Sequence, residues 1–466
     1  MFFQNIYEKG LAQASYMIGC QATGTAVVID PKRDIDTYLK IAENENLKIT
    51  HVTETHIHAD FLSGARELAA ATGAEMLLTD EGGPDWQYQF PHKGLKDGDI
   101  FMVGNIKFEV MHSPGHTPEH ISFLVTDTPA GDEPLMILTG DFVFVGDVGR
   151  PDLLEKAAGI AGTQEVGARQ MFASLEKFKA LPNHVQVWPG HGAGSACGKA
   201  LGAVPSTTVG YAKLTNWALQ YDDEKEFVKA LLEGQPEPPK YFAMMKKLNK
   251  EERSILKSIP IPNELMQEEL EQALQQGMTL IDTRSKEEFS QKHIPGSVNI
   301  HDDSALTNWA GWILDYAKPF VLVAPKHRIP EISKALIRIG LDNIHGFIPG
   351  VDGWIAKGNP VESVNEVSPS ELKNLFAENN IQVVDVRGAV EYDDEHLRNA
   401  VNIHAGHLID NLERLPKNKN LVLQCLSGDR SMIAYSLLSK RGFKNIANLT
   451  GGINAWKDAG FSVESK

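Results

Sequence analysis

The carboxy-terminal half of the chain contains an internal repeat, and this feature limits the possible folds most. LIDTRSKEEF (280–289) matches VVDVRGAVEY (383–392), and HIPGSVNI (293–300) matches HLRNAVNI (396–403). The matching stretches lie about one hundred residues apart, so each copy has the size of a small domain. Each copy alternates short apolar runs with helical patterns, which predicts two consecutive α/β domains with parallel sheets covered on both faces.

Proline-rich stretches separate the repeat from the rest of the chain. With 466 residues the chain is too long for one ordinary domain. GQPEPPK (234–240) contains three prolines, and the helical, charged stretch after it is broken again by IPIPNEL (259–265). We place the first boundary within 235–262. The predicted domains are 1–240, 263–362 and 366–466.

The composition limits which binding partners and which cellular compartment we expect for the protein. The formal net charge of −16 argues against nucleic acid or an anionic membrane as the main partner. The three cysteines lie far apart and form no C-x-x-C pair, which is a reducing, intracellular pattern. No signal-peptide pattern and no membrane-spanning apolar run is present. We expect a soluble cytoplasmic protein; no motif sets its oligomeric state, and a homo-oligomer would be ordinary.

The last copy has a cysteine where a strand pattern runs into a helical pattern. NLVLQ (420–424) is followed by CLSGDRS (425–431). Backbone N–H groups and the helix dipole converge at such a turn, where they favour a thiolate or bind an oxyanion. Cys425 is therefore a candidate nucleophile, and Arg430 adds positive charge at the end of the loop. The alternative is a buried cysteine at the end of a strand.

This copy resembles a rhodanese, a sulfurtransferase domain, over its whole length: in VDVR, H-x5-N-I, C-x4-R and GGINAW. The resemblance implies that Cys425 carries a sulfane sulfur as a persulfide, which Arg430 and the loop amides stabilise. Ser427, Gly428 and Asp429 would bind substrate. A phosphatase loop has the longer spacing C-x5-R, so the spacing here favours sulfur over phosphate.

The middle copy has no cysteine at the equivalent place. Its stretch VAPKHRIPE (323–331) contains no thiol and a shorter turn, so it cannot form a persulfide. We interpret 263–362 as a rhodanese-like domain without sulfur-transfer activity. Its Lys326, His327 and Arg328 form either a ligand-binding group or a solvated turn.

Histidine and aspartate side chains follow several strand patterns of the first domain. In the extended stretch THIHADF (55–61), alternate residues face the same side, so His56, His58 and Asp60 can converge. Sharp turns after later strand patterns carry further ligand-type residues, namely His116 in HSPGHT, Asp141 in LTGD and His191 in WPGHG. This arrangement predicts a metal site at one edge of a sheet.

These ordered motifs resemble the metallo-β-lactamase superfamily, which implies a four-layer αββα sandwich. Hydrolases of this superfamily, such as glyoxalase II, usually show HxHxDH and bind two metals, and the last histidine is a ligand of the second. Phe61 stands in its place and offers no lone pair. The second site then keeps Asp60 and His191, and two ligands hold a divalent ion poorly. The alternative is that the geometry of the second site tolerates the loss.

The resemblance narrows to persulfide dioxygenases through GDVGRPDL (146–153). It implies one Fe(II) per chain with the ligands His56, His116 and Asp141, a facial set that leaves positions for substrate sulfur and O2. His58, Asp60 and His191 would then orient these ligands or a bound water.

For each of two residues near these motifs, two alternative roles stay open. Arg150 either anchors a carboxylate of the thiol carrier or forms a salt bridge to Asp152. Cys197 lies six residues beyond His191. It is either a sulfur acceptor near the metal cleft or a small packing residue.

Together the domains predict a bifunctional persulfide dioxygenase and sulfurtransferase in sulfide detoxification. Its partners would be a small-molecule thiol persulfide, O2, and sulfite or thiosulfate. The thiol carrier and the direction of the coupled transfer stay open. The first alternative is a dinuclear zinc thioester hydrolase with attached sulfur carriers; the second is a non-catalytic sulfide-sensing or scaffold protein.

Overall fold

The chain forms two compact units in a computed structural model that describes residues 1–153, 155, 162–199, 201–235, 237–376, 380–416 and 418–465. Pro236 of the proline-rich stretch and Lys466, the last residue of the third predicted domain, lie outside the described residues. The first unit comprises Met1–Ile259 and Ile337–Gly340, and the second comprises Pro260–Leu336 and Leu341–Lys466. The division between Ile259 and Pro260 lies within the stretch 235–262 where we placed the first boundary, and beyond residue 240, the end of the first predicted domain.

Two mixed sheets form the centre of the first unit. The first sheet has the order β1-β2-β3-β4-β5-β6, with β3 to β6 parallel, and the second has the order β12-β11-β10-β9-β8-β7. Their strands are β1 (Phe2–Glu8), β2 (Gln13–Cys20), β3 (Thr25–Ile29), β4 (Lys48–Thr53), β5 (Glu75–Thr79), β6 (Lys93–Leu95), β7 (Ile100–Val103), β8 (Ile106–His112), β9 (Ile121–Asp127), β10 (Met136–Gly140), β11 (Gln186–Pro189) and β12 (Thr207–Thr208).

Helices cover the outer faces of both sheets. Strand β2 is buried along its whole length, and its alternate residues face opposite layers. Tyr16 belongs to the core between the sheets, with Phe108 and Phe123, whereas Met17 packs with Tyr38 of the helical layer. Among the described residues of this unit, the helices are α1 (Asp36–Asn44), α2 (Ala65–Thr72), α3 (Thr163–Lys179), α4 (Val209–Thr215), α5 (Glu224–Leu232) and α6 (Phe242–Lys250). This layering confirms the predicted αββα sandwich.

The second unit contains two all-parallel sheets, one from each copy of the repeat. Their orders are β14-β13-β15-β16 and β17-β21-β20-β18-β19. The strands are β13 (Thr279–Asp282), β14 (Val298–Asn299), β15 (Phe320–Val323), β16 (Ile344–Ile348), β17 (Glu366–Val367), β18 (Ile381–Asp385), β19 (Val401–Asn402), β20 (Asn420–Gln424) and β21 (Ile446–Leu449). The predicted pair of rhodanese-like α/β domains with parallel sheets is confirmed.

The helices of this unit alternate with its strands. They are α7 (Gln267–Gln275), α8 (Lys286–Gln291), α9 (Leu306–Ile313), α10 (Ile329–Ile337), α11 (Asp352–Ala356), α12 (Pro369–Leu375), α13 (Ala389–Asp394), α14 (Asp429–Lys440) and α15 (Gly452–Asp458). Helix α14 is buried from Ser431 to Leu438 without a break. A helix buried on every side needs partners on every side. Across the described residues, we find no helix whose length and apolarity would let it span a bilayer.

Candidate functional site

Three ligand-type side chains from separate loops meet at one end of the first unit's sheets. His56 follows β4, His116 precedes β9, and Asp141 follows β10. Asp141 Oδ2 lies 3.5 Å from His116 Nε2 and 3.9 Å from His56 Nε2. The three ligand atoms all lie within 4.8 Å of one another, and all three residues are buried. The sequence predicted this group, and the fold brings it together.

The hydrogen bonds of both histidines leave Nε2 available for a cation. His116 Nδ1 donates to the carbonyl oxygen of Arg150 at 2.9 Å. Thr55 Oγ1 donates to Asp30 at 2.9 Å, so it accepts from His56 Nδ1 at 3.0 Å. Burial lowers the pKa of His116, and burial with neighbouring histidines lowers the pKa of His56 well below its usual value. Both rings are therefore neutral at pH 7, as metal ligands must be.

Unpaired polar atoms support a metal at this site. His56 Nε2 and both carboxylate oxygens of Asp141 are buried without a hydrogen-bond partner. A buried polar atom without a partner costs about 1–3 kcal/mol, and a carboxylate costs more. A cation bonded to these atoms would remove that cost, so the residues fit a metal ion.

Two residues next to the GHT motif hold the ligand loops in place. His120 Nε2 accepts the backbone N–H of Asp141 at 3.1 Å, and its Nδ1 lies 2.9 Å from Ser113 Oγ. Glu119 accepts the backbone N–H of Ile57 at 2.8 Å, and burial raises the pKa of its carboxyl group to about 7. Both side chains are fully buried and fix backbone next to ligands.

His58 is not part of the three-residue group, although its ring centroid lies 4.2 Å from that of His56, and it pairs with Asp30. Its Nε2 lies 3.0 Å from Asp30 Oδ1, and although burial opposes protonation, Asp30 raises the pKa of His58 to about 9. Asp30 also accepts the backbone N–H of Thr55 at 2.7 Å. The sequence analysis missed Asp30, which orders His56 through Thr55. The available signal was its position at the end of TAVVID (25–30), which has the residue pattern of a strand.

A second group of ligand-type atoms lies beside the first. Asp60, His191 and Cys197 are buried, and their ligand atoms lie within 4.8 Å of one another. His191 Nε2 is 3.2 Å from Asp60 Oδ2 and 3.5 Å from Asp141 Oδ1. Cys197 therefore lies at the cleft and supplies a third ligand type that the sequence analysis did not consider. Burial raises the pKa of its thiol to about 12, so without a cation it is not a ready thiolate acceptor.

Arg150 forms the salt bridge rather than a free anchor. Its Nε and Nη2 each donate to the carboxylate of Asp152 at 2.7 Å, and its Nη1 donates to the carbonyl oxygen of Ala196 at 3.2 Å. The side chain is fully buried. Of the two roles left open for Arg150, the structure shows the salt bridge to Asp152, because its donors are directed at protein oxygens.

Helix α6 fixes the loop that follows the first ligands. Asn249 Nδ2 donates to the carbonyl oxygens of His58 and Phe61, at 2.8 and 2.7 Å. Asn249 Oδ1 accepts the backbone N–H of Ser63 at 2.9 Å. The loop thus depends on a helix beyond residue 240, in the stretch that we predicted to be a linker.

Replacing Asn249 with alanine should lower the free energy of unfolding of the first unit by about 3 kcal/mol, since three buried backbone groups lose their partner. Urea unfolding of the full chain measures this change. Lys247→Ala alters an exposed position on the same helix and should stay within about 0.5 kcal/mol of the unmodified chain. Equal stability of the two variants would contradict the role given to Asn249.

The second unit places Cys425 at the turn between β20 and α14, with its side chain 1% exposed. The backbone N–H of Gly428 donates to Cys425 Sγ at 3.2 Å, and Ser431 Oγ lies 3.5 Å from the same sulfur. Gly428 has φ +104°, a left-handed conformation that directs this N–H to the sulfur. The loop directs two donors at the Cys425 sulfur, and one of them, Ser431, lies one residue after the C-x4-R motif and was missed.

Arg430 is directed at a carboxylate of its own domain. Its Nη1 and Nη2 donate to Glu391 at 2.6 and 2.7 Å. Burial raises the pKa of Glu391, but its bonds with Arg430 more than offset this and keep the pKa below its usual value. Arg430 thus interacts electrostatically with Cys425, but its hydrogen-bonded ion pair is with Glu391. The sequence analysis did not single out Glu391. Ser427 Oγ donates to Asp429 Oδ2 at 2.6 Å, at the mouth of the loop.

The equivalent turn of the middle copy contacts solvent. Lys326 is 77% exposed and pairs with Glu264 at 3.1 Å, and Arg328 pairs with Asp302 at 2.7 Å. This turn is a short 3-10 helix, Lys326–Arg328. Of the two roles left open for it, the structure shows the solvated turn.

The fold and the buried histidine–aspartate group define a metal-binding α/β protein with attached rhodanese-type domains, and comparison with known proteins agrees. The family profile of the metallo-beta-lactamase superfamily matches residues 9–191, and that of the rhodanese-like domain matches 266–357 and 368–459. A metallo-beta-lactamase from Staphylococcus aureus, known by crystal structure, is 44% identical, with a TM-score of 0.70. The match covers 75% of this chain and 99% of that one. The chain belongs to the metallo-beta-lactamase superfamily and carries two rhodanese-like domains.

Other relatives match only part of the chain. A hydroxyacylglutathione hydrolase from Rhodospirillum rubrum is 33% identical over 178 residues, which are 38% of this chain and 60% of that protein. The chain thus spans about 60% of the length of this curated relative. ETHE1 from Myxococcus xanthus is 26% identical in a structural match that covers 50% of this chain and 91% of that one, with a TM-score of 0.42.

Proposed function

We propose that the chain oxidises a low-molecular-weight thiol persulfide with O2 and passes the product to its rhodanese cysteine. In the first reaction, R–S–SH, O2 and H2O give R–SH and sulfite, so the outer sulfur loses four electrons and O2 gains them. In the second, the Cys425 thiolate takes the outer sulfur of another R–S–SH, and R–SH leaves. The resulting Cys425 persulfide donates this sulfur to sulfite, which gives thiosulfate and the Cys425 thiolate. The thiol carrier could be glutathione, coenzyme A or cysteine.

The donor set of the first unit carries this proposal. Two neutral imidazoles and one carboxylate are the facial group typical of ferrous sites that use oxygen, because they leave three positions open. His56, His116 and Asp141 form such a group, in which His56 Nε2 and both Asp141 oxygens have no hydrogen-bond partner. When bound there, one Fe(II) per chain would supply the redox chemistry with O2.

The surrounding residues prepare the site for this chemistry. Arg150 O and Thr55 Oγ1 hold the two rings in the tautomer whose Nε2 has a lone pair. Burial of the three ligands to 2% exposure or less keeps water from competing for them. Asp60 and His191, 3.2 Å apart, can hold or release a proton beside Asp141.

Covalent linkage favours the second reaction. Sulfite released in a chain that also carries a persulfide meets it at a raised effective concentration. The cradle of Gly428 N–H and Ser431 Oγ supports the anionic sulfur before and after transfer.

Oxygen consumption tests the proposal. Purified full-length protein loaded with Fe(II) is mixed with glutathione persulfide in an oxygen electrode. We expect one O2 consumed for each sulfite and thiosulfate formed in total. Thiol release without oxygen uptake would contradict the dioxygenase assignment.

A thioester hydrolase with two zincs is the second candidate, and one observation favours it. Asp60, His191 and Cys197 form a second three-ligand group next to the first. With Cys197 as the third ligand, the loss of a histidine at position 61 does not by itself remove a second metal. The hydroxyacylglutathione hydrolase name of the Rhodospirillum rubrum relative belongs to the same reaction class.

The variant Phe61→His separates these candidates. Phe61 is fully buried, and its ring centroid lies 4.4 Å from that of His58. If its apolar ring keeps the site mononuclear, a histidine at this place should raise the metal content from about one to about two per chain and lower oxygen uptake at least tenfold. Metal analysis and the oxygen electrode measure both changes.

Phe61→Leu is the matched control, since leucine also lacks a lone pair and should keep one metal per chain. A content of two metals in the unmodified chain, unchanged in both variants, would contradict the mononuclear site and favour the hydrolase.

A further inference from the structure

A lysine of the middle domain reaches the loop that holds Cys425. Lys286 is the first residue of α8, directly after Ser285, whose hydroxyl caps that helix. Its Nζ donates to the carbonyl oxygen of Ser427 at 2.9 Å and lies 2.9 Å from Asp429 Oδ1. The ammonium group therefore binds the two loop residues on either side of Gly428, whose N–H donates to the cysteine sulfur.

The contact is fixed by packing between the two copies of the repeat. Helix α14, which begins after the Cys425 loop, packs against the edge strand β14 of the middle sheet. Ser436 Oγ on this helix accepts the backbone N–H of Asn299, and Lys440 Nζ donates to Thr279 Oγ1 at 2.9 Å. This explains why α14 is buried on every side, and it holds Lys286 over the loop.

The charged groups around the Cys425 loop (425–431) determine what Lys286 contributes to the net charge there. Burial raises the pKa of Asp429, but hydrogen bonds from Ser427 and Lys286 and the charges of Lys286 and His301 lower it below its usual value. Asp429 is therefore ionised at neutral pH. Arg430 is already paired with Glu391, so without Lys286 the group Asp429, Arg430 and Glu391 would carry one net negative charge.

Sulfite and thiosulfate are anions, and a net negative charge at the entrance repels them. Among the ion pairs of the described residues, the cation that pairs with Asp429 is Lys286 of the middle copy. Alignment of LIDTRSKEEF with VVDVRGAVEY places Ala389 opposite Lys286. The cation at this place comes from the copy that has no thiol of its own.

We propose that the middle domain completes the substrate site of Cys425: Lys286 neutralises Asp429 and thereby admits sulfur oxyanions to the loop. Lys286 is a positioning and specificity residue, and no bond forms or breaks at it. The inference rests on the proposed sulfur transfer at Cys425, and it gives the thiol-less copy a function.

Kinetics of the full-length chain test the inference. With thiosulfate as donor and cyanide as acceptor, Lys286→Ala should raise KM for thiosulfate about tenfold and change kcat less than twofold. High salt should reduce the difference, because it screens the charges. Adding Asp429→Asn to Lys286→Ala should restore most of the lost affinity. Lys292→Ala, at the exposed residue that directly follows the same helix, is the matched control and should leave KM unchanged.

A second readout does not depend on sulfur transfer. Cys425 is modified with anionic iodoacetate or neutral iodoacetamide, and peptide mass spectrometry follows both rates. The ratio of the two rates reports the charge beside the Cys425 loop. Lys286→Ala should lower the iodoacetate-to-iodoacetamide ratio at least fivefold. An unchanged ratio, or a fall in kcat at constant KM, would overturn the inference. If the unmodified chain does not use thiosulfate but the ratio falls as expected in Lys286→Ala, that result contradicts the proposed function and leaves the role of Lys286 standing.

Discussion

Replacing Asp141 with asparagine is expected to lower persulfide-dependent oxygen uptake at least a thousandfold. Asp141 is the one carboxylate of the three-residue group, and its Oδ2 lies within 3.9 Å of Nε2 of both histidines. An amide has no charge to balance a divalent cation, so bound iron should fall from about one per chain to a small fraction. Metal analysis and the oxygen electrode measure both losses on one sample.

Two comparisons make the Asp141 result specific. Sulfur transfer from thiosulfate to cyanide should stay within twofold of the unmodified chain, because Cys425 belongs to the other compact unit. Asp132→Asn makes the same chemical change in an exposed turn and should alter neither activity. Full oxygen uptake by Asp141→Asn would show that the metal site has been assigned to the wrong residues.

Replacing Cys425 with serine is expected to abolish sulfur transfer, with a loss of at least a thousandfold. A hydroxyl group cannot carry a sulfane sulfur, although the serine keeps the Gly428 N–H as a partner. Oxygen uptake should stay near its original rate, and sulfite should accumulate in place of thiosulfate. Ion chromatography of the products measures this change.

Cys20→Ser is the matched control for the Cys425 variant. Cys20 ends β2 and belongs to the core between the two sheets, outside both ligand groups. Its replacement should leave the ratio of sulfite to thiosulfate unchanged. Thiosulfate formed at the full rate by Cys425→Ser would break the proposed coupling of the two reactions.

The sequence predicted those parts of the site that depend on local pattern. TAVVID (25–30) and KITHVTET (48–55) have the residue pattern of strands and correspond to β3 and β4. ARELAAATG (65–73) has a helical pattern that ends at glycine, and it corresponds to α2, which ends before Gly73 with φ +72°. Ligand motifs at strand ends converge because the ends of neighbouring strands share one edge of a sheet. The repeat also predicted two parallel sheets, because the alternation of short apolar runs and helical patterns can be recognised locally in each copy.

What the sequence could not supply are contacts between residues far apart in the chain. Asn249 binds the loop after His58 from a helix that we had placed in a linker. The role of Arg150 was decided by the position of Asp152, which only the folded turn shows. Lys286 belongs to another domain than the cysteine loop it contacts, and no spacing rule connects the two.

Metal content and oxygen uptake, determined on the same preparation, test the central claim most directly. The claim is that His56, His116 and Asp141 hold a single redox-active metal. The account predicts about one iron per chain and oxygen uptake that starts when persulfide is added and scales with iron content. Two zincs per chain, with thioester hydrolysis and no oxygen uptake, would contradict it.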